Sequence, residues 1–60
     1  MFAKKGDLDR AITDFSDAIN LDPRDADAYE RRASAHERKG EHAQAEVDFA
    51  RSEELRSRRS

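Results

Sequence analysis

Apolar residues recur along this chain at helical spacing, in three separate stretches. The members of the first stretch, in residues 8–21, are Leu8, Ala11, Ile12, Phe15, Ala18 and Ile19. A narrower stripe follows in residues 24–38, and a third in residues 42–56. Intervals of three and four residues place side chains on one face of an α-helix. No stretch alternates between apolar and polar residues as a half-buried strand would. The pattern predicts an all-α fold.

Glycine and proline separate the three stretches. Pro23 follows Asp22, and proline is tolerated at the start of a helix because its missing N–H has no partner there. Gly40 follows two basic residues, and glycine readily takes the left-handed conformation that ends many helices. Gly6 also follows two basic residues, which predicts that a short helical stub ends there.

One domain, residues 1–60, accommodates this order of elements. The predicted elements are a helical stub at 1–5, helices at 8–21, 24–38 and 42–56, and a frayed tail at 57–60. Connections of two to four residues predict that neighbouring helices pack antiparallel.

The chain also repeats itself with a period of 34 residues. When residues 1–26 are compared with residues 35–60, seven of the 26 pairs are identical. These pairs are Lys5/Lys39, Gly6/Gly40, Ala11/Ala45, Asp14/Asp48, Phe15/Phe49, Leu21/Leu55 and Arg24/Arg58. Chance alone would give roughly two identities at ordinary residue frequencies. The repeated unit is therefore a pair of helices.

The spacing of small and aromatic residues is specific. It runs through Ala11-x3-Phe15, Ala18, Leu21-Asp22-Pro23, Tyr29, Ala33, His36, Gly40 and Ala45-x3-Phe49. This pattern resembles the tetratricopeptide repeat, and about one and a half repeats cover residues 1–56. Departures from the family pattern are Arg32 in place of leucine, His36 in place of tyrosine, Ser52 in place of alanine and Ser57 in place of proline.

The resemblance implies an α-solenoid and a non-catalytic scaffold that binds a protein or peptide. In this family the first helix of each pair lines a concave groove, and here that helix is 24–38. The groove-facing positions are Asp27, Glu30, Arg31, Ser34, Glu37 and Arg38. The same residues form a continuous polar stripe by spacing alone. An ordinary solvated helix face, with ion pairs of small stabilising effect, is the alternative for this stripe. The basic clamp with which some members hold a C-terminal carboxylate is absent.

A second hypothesis is self-association. Fewer than three repeats rarely hold together alone, so a dimer, a larger homo-oligomer or a domain-swapped form would complete the packing. Helix 8–21 is strongly apolar and its usual partner is reduced to the stub. We therefore expect a self-association face formed by Phe2, Ile12 and Ile19.

Composition argues against an enzyme. Charged residues make up 43% of 60 residues, and only 11 apolar side chains are larger than alanine, too few to wall an enclosed catalytic cavity. Asp14, Asp17 and Asp48 are expected on exposed faces, with no second group placed for acid–base chemistry. We expect no catalytic residue and no cofactor.

The chain has no cysteine, and a glycine turn separates His36 from His42, so no metal site is expected. Residues 1–30 carry a net charge of −4 and residues 31–60 carry +2. The basic end at 56–59 contains no aromatic residue that could stack on a base, so no nucleic-acid partner is expected. The sequence contains neither a membrane span nor the apolar core of a signal peptide. A cytoplasmic protein is the expectation.

Overall fold

Three helices form the part of the chain that the structure describes. This computed structural model describes residues 5–59, with the side chains of residues 6–58. Helix α1 is Lys5–Leu21, α2 is Ala26–Arg38 and α3 is His42–Arg59. No strand occurs among these residues, so the all-α prediction is confirmed.

Helix α2 lies between the other two helices. It packs against α1 and against α3, while the backbones of α1 and α3 do not approach each other within 8 Å. Side-chain contacts give the directions of the helices. Across α1 and α2, Ser16 meets Arg32 and Asp9 meets Lys39, so the two helices run antiparallel. Helices α2 and α3 also run antiparallel, as the short connections predict.

The turn between α1 and α2 is built on aspartate side chains. The Asp25 N–H donates to the Asp22 carbonyl over 3.1 Å, and the Asp22 carboxylate accepts from the Arg24 N–H over 3.1 Å. Asp25 then caps α2, because its carboxylate accepts from the Ala28 N–H. Helix α2 therefore begins at Ala26 and not at residue 24, and Pro23 lies in the turn before it.

The two glycines differ in conformation. Gly40 has a φ of 86° and follows the last turn of α2, as predicted. Its N–H donates to the Glu37 carbonyl and the Glu41 N–H donates to the His36 carbonyl, the pairing that closes a helix end through a left-handed residue. The prediction for Gly6 was wrong, because α1 already begins at Lys5 and runs through Gly6 without positive φ.

The two ends of the chain also differ from expectation. Helix α3 continues to Arg59, so the predicted fraying of residues 57–60 is wrong up to that residue. The first four residues of the predicted stub lie outside the described residues. Helix α1 therefore begins earlier and helix α3 ends later than their apolar stripes indicate.

Small side chains dominate the core. The buried apolar residues are Leu8, Ile19, Ala26, Ala28, Ala33, Ala35 and Ala45. Because alanine is so small, α2 can lie close to both of its neighbours. The larger rings of Phe15, Tyr29 and Phe49 are only half-buried. Much of the apolar surface of this chain therefore remains at the edges of the helix interfaces.

Asp48 is the main correction to the sequence analysis. The expectation of an exposed carboxylate was wrong, because Asp48 is 4% exposed. Its oxygens accept from Arg32 Nε over 2.9 Å and from Arg32 Nη2 over 2.8 Å. Arg32 Nη1 donates to the Ser16 hydroxyl over 3.1 Å. The hydrogen bond to Asp48 raises the pKa of Arg32. Because Ser16 lies on α1 and Asp48 on α3, the guanidinium group of Arg32 links all three helices.

A second set of charges closes the end of the bundle near Gly40. His36 Nδ1 donates to the Glu41 carboxylate over 2.8 Å, and Lys39 forms an ion pair with Asp9 of α1. The hydrogen bond from His36 lowers the pKa of Glu41. The hydrogen bond to Asp9 raises the pKa of Lys39. These contacts tie the connection between α2 and α3 to the first helix.

Candidate functional site

An open groove runs over the polar face of α2 and has a volume of about 520 Å³. We call it the α2 groove. Its lining residues are Leu8, Ala11 and Phe15 from α1, Asp27, Glu30, Arg31, Ser34, Ala35 and Arg38 from α2, and Phe49 from α3. Five of the six residues predicted to face a groove therefore line one, and Glu37 is the exception.

The groove has apolar sides and a polar centre. Phe15 on α1 and Phe49 on α3 occupy equivalent positions of the 34-residue repeat, and both rings are half-buried. Between them, α2 presents charged and hydroxyl groups from Asp27 to Arg38. A surface with aromatic sides and a few polar groups is typical of sites that bind other molecules.

Arg56 neutralises the acidic part of the groove. This arginine of α3 donates to Glu30 through Nη1 over 3.1 Å and through Nη2 over 3.0 Å, and to Asp27 over 3.0 Å. The hydrogen bond lowers the pKa of Glu30. This role of Arg56 was not predicted from the sequence. Its only signal was an arginine near the end of α3, and sequence spacing alone does not show which helix face it reaches.

The basic part of the groove makes no direct contact with an acidic side chain of residues 6–58, although the charge of Arg31 contributes to lowering the pKa of Glu30. Arg31 and Arg38 are exposed, and neither forms a hydrogen bond or ion pair within residues 6–58. Ser34 is also exposed between them. With Asp27 and Glu30 occupied by Arg56, the charges that remain available to a ligand in the groove are positive.

The residues predicted for self-association do not form one open face in the described part of the chain. Ile19 is 9% exposed, because α1 turns this side towards the core. Ile12 is half-buried, and Phe2 lies outside the described residues. The large apolar side chains that do project from the bundle are Leu21, which is 89% exposed, and Val47, which is 66% exposed.

A second depression lies between the α1–α2 turn and the end of α3. Its lining is mostly charged: Asp22, Arg24, Asp25, Ala26, Asp27, Leu55, Arg56 and Arg58. Within the described residues, no three histidine, cysteine or acidic side chains come together as a possible metal site. None of the helices formed by these residues is both long enough and apolar enough to cross a membrane.

Comparison with known families agrees with this architecture. One sequence profile, described as TPR repeat, matches residues 1–40. A second, described as Tetratricopeptide repeat, matches residues 26–58. The chain belongs to the tetratricopeptide repeat family. No curated protein and no solved structure matches it.

Each helix of the chain corresponds to a defined helix of the tetratricopeptide repeat. Helices α2 and α3 form the complete pair, which the second match covers up to residue 58, and α1 is the second helix of the preceding repeat. Proteins of this family are generally protein–protein interaction modules built on a non-catalytic fold. The arginine at position 32 also has a structural reason, because its partner Asp48 lies on the facing helix.

Proposed function

We propose that this tetratricopeptide repeat chain binds a protein or peptide partner in the α2 groove. The observation that carries the proposal is the position of the polar stripe. Asp27, Glu30, Arg31, Ser34 and Arg38 line the open α2 groove together with two aromatic rings, those of Phe15 and Phe49. We include Glu37 as a rim contact, because it is exposed next to Arg38.

The contacts of the groove support this function in two ways. Half-buried rings such as Phe15 and Phe49 offer apolar area that a partner would remove from water. Unpaired arginines offer charge-assisted hydrogen bonds without first breaking an ion pair inside the chain. Binding would then rest on shape and charge, with no chemical step.

Site-specific photocrosslinking tests the proposal. A photoreactive phenylalanine analogue replaces Ser34 in the groove, and in a matched variant it replaces Glu46, an exposed residue of α3 outside the groove. We expect crosslinks to a second polypeptide from position 34 and none from position 46. Helicity measured by circular dichroism confirms that both variants fold. Equal crosslinking from both positions, or none from position 34, would refute the proposal.

Self-association through Phe2, Ile12 and Ile19 remains the second candidate. One observation favours it: α1 packs against α2 alone among the described helices, so part of its surface has no neighbour. The burial of Ile19 weighs against this particular face. Replacing Ile12 with aspartate should abolish a dimer of this kind, and an unchanged solution mass would exclude it.

A further inference from the structure

We propose that a second copy of this chain occupies the α2 groove. The two copies would be related by a two-fold axis, with the basic edge of each α2 against the acidic edge of the other α1. This inference rests on the proposed function, since it takes the α2 groove as the contact surface. It differs from the face around Ile12 and Ile19, which the core largely covers.

The basic edge consists of Arg31 and Arg38. These residues are seven positions apart, which is two helical turns, or about 10.5 Å along α2. Both line the groove, and neither is paired within residues 6–58. A matching partner therefore needs two acidic groups at a similar separation, next to apolar side chains that meet the groove.

The acidic edge of α1 meets this requirement. Asp7 and Asp14 are also seven positions apart, and both are exposed without a hydrogen bond or ion pair within residues 6–58. They directly precede Leu8 and Phe15, which line the groove. Among residues 6–21 of α1, Asp17 and Arg10 also lack such a partner, so the net charge of these four side chains is −2.

Symmetry explains why one surface carries both edges. In a two-fold contact the same patch is used twice, so it must be complementary to itself. The basic edge of the first copy meets the acidic edge of the second, and the reverse pairing occurs on the other side. The sides formed by Phe15 would lie between the two sets of charges. A partner surface with charges of only one sign would pair with one edge and place like charges against the other edge.

A charge-swap experiment tests the dimer. One variant carries Arg31→Glu and Arg38→Glu, and the other carries Asp7→Lys and Asp14→Lys. The measurement is solution mass by light scattering over a hundredfold range of concentration. We expect the unaltered chain to be dimeric at the upper end of this range. Each variant alone should dimerise about tenfold more weakly or worse, since like charges then face each other.

An equimolar mixture of the two variants should restore the dimer, because every edge again meets its opposite. The control carries Glu46→Lys and Glu53→Lys; these two acidic residues of α3 are exposed, are also seven positions apart, and form no hydrogen bond or ion pair within residues 6–58. This control should keep the mass of the unaltered chain. Circular dichroism on the same samples shows that helicity is retained in all variants.

Three results would overturn the dimer: an unaltered chain that is monomeric at every concentration, variants that stay dimeric, or a mixture that does not recover. Crosslinking from position 34 separates this failure from that of the proposed function. A monomer whose groove crosslinks to a different protein keeps the proposed function and removes the second copy. A monomer with no crosslink removes both.

Discussion

Replacing Asp48 with asparagine tests whether the Arg32–Asp48 ion pair holds the three helices together. Asparagine keeps the shape of the side chain but loses its charge. One of its two terminal atoms becomes an amide nitrogen, which cannot accept the hydrogen bond that Arg32 donates. The bidentate pair, with N–O distances of 2.9 and 2.8 Å, becomes a single hydrogen bond.

The size of the effect follows from burial. Removing one partner of a buried ion pair costs about 3–5 kcal/mol, because the other charge remains without compensation. Here the Asp48 side chain is 5% exposed, but that of Arg32 is 23% exposed and also meets Ser16, so it can regain some hydration. We therefore expect a loss of about 2–3 kcal/mol in the free energy of unfolding. For a chain of 60 residues, whose total is about 3–9 kcal/mol, this loss is severe.

Thermal unfolding followed by circular dichroism measures the change. At a fixed protein concentration, Asp48→Asn should lower the midpoint by roughly 10–20 °C. Glu46→Gln is the matched control, because Glu46 lies two residues before Asp48 on the same helix but is exposed and forms no hydrogen bond or ion pair within residues 6–58. Its midpoint should stay within a few degrees of the unaltered chain. If both variants melt together, the ion pair does not hold the bundle.

Three further predictions follow from single side chains. Phe15→Ala should destabilise the chain by about 1.5–2.5 kcal/mol, less than the 3–5 kcal/mol of a fully buried ring; denaturant unfolding measures this, and a loss above that range would place the ring in the core. Gly40→Ala should cost about 1 kcal/mol because its φ is 86°, whereas Gly6→Ala in α1 should be neutral or stabilising; a similar effect at both glycines would contradict the assigned turn. Because the hydrogen bond from His36 lowers the pKa of Glu41 in the folded chain, this contribution is present above about pH 4.5 and is lost as the pH falls further. Between pH 7 and pH 3.5, the melting midpoint should therefore fall less for Glu41→Gln than for the unaltered chain. An equal fall in both would exclude the contribution of Glu41.

Sequence reasoning worked best where a residue's own conformation decides the structure. Gly40 ends α2 because its own N–H and that of Glu41 donate to the last carbonyls of the helix. The spacing of the apolar residues predicted the three helices that the structure describes. The same rule failed at Gly6, since a glycine is also tolerated inside a helix. At the start of α2 the sequence offers several aspartates, and only the three-dimensional turn shows that Asp25 is the cap.

Contacts between helices were the part that the sequence did not provide. Arg32 and Asp48 are 16 positions apart, and no local pattern pairs them. Asp48 was expected on an exposed face, and Arg32 was noted only as a departure from the family pattern, because the partner of each residue lies on another helix. The α2 groove was predictable in its polar centre, since helical spacing gives that stripe directly. The neutralisation of its acidic end by Arg56 depends on how α3 lies against α2.

The central position of α2 has a consequence for the way this chain opens. Because the backbones of α1 and α3 each approach α2 and not each other, the bundle behaves as two nearest-neighbour interfaces in series. Helix α1 or helix α3 can detach while the other stays packed against α2, whereas unfolding of α2 disrupts both interfaces at once. Amide hydrogens of α2 should therefore exchange with solvent only through global unfolding. Those of α1 and α3 should exchange through local openings that need less free energy. Any ligand held in the α2 groove touches the one helix on which both interfaces depend.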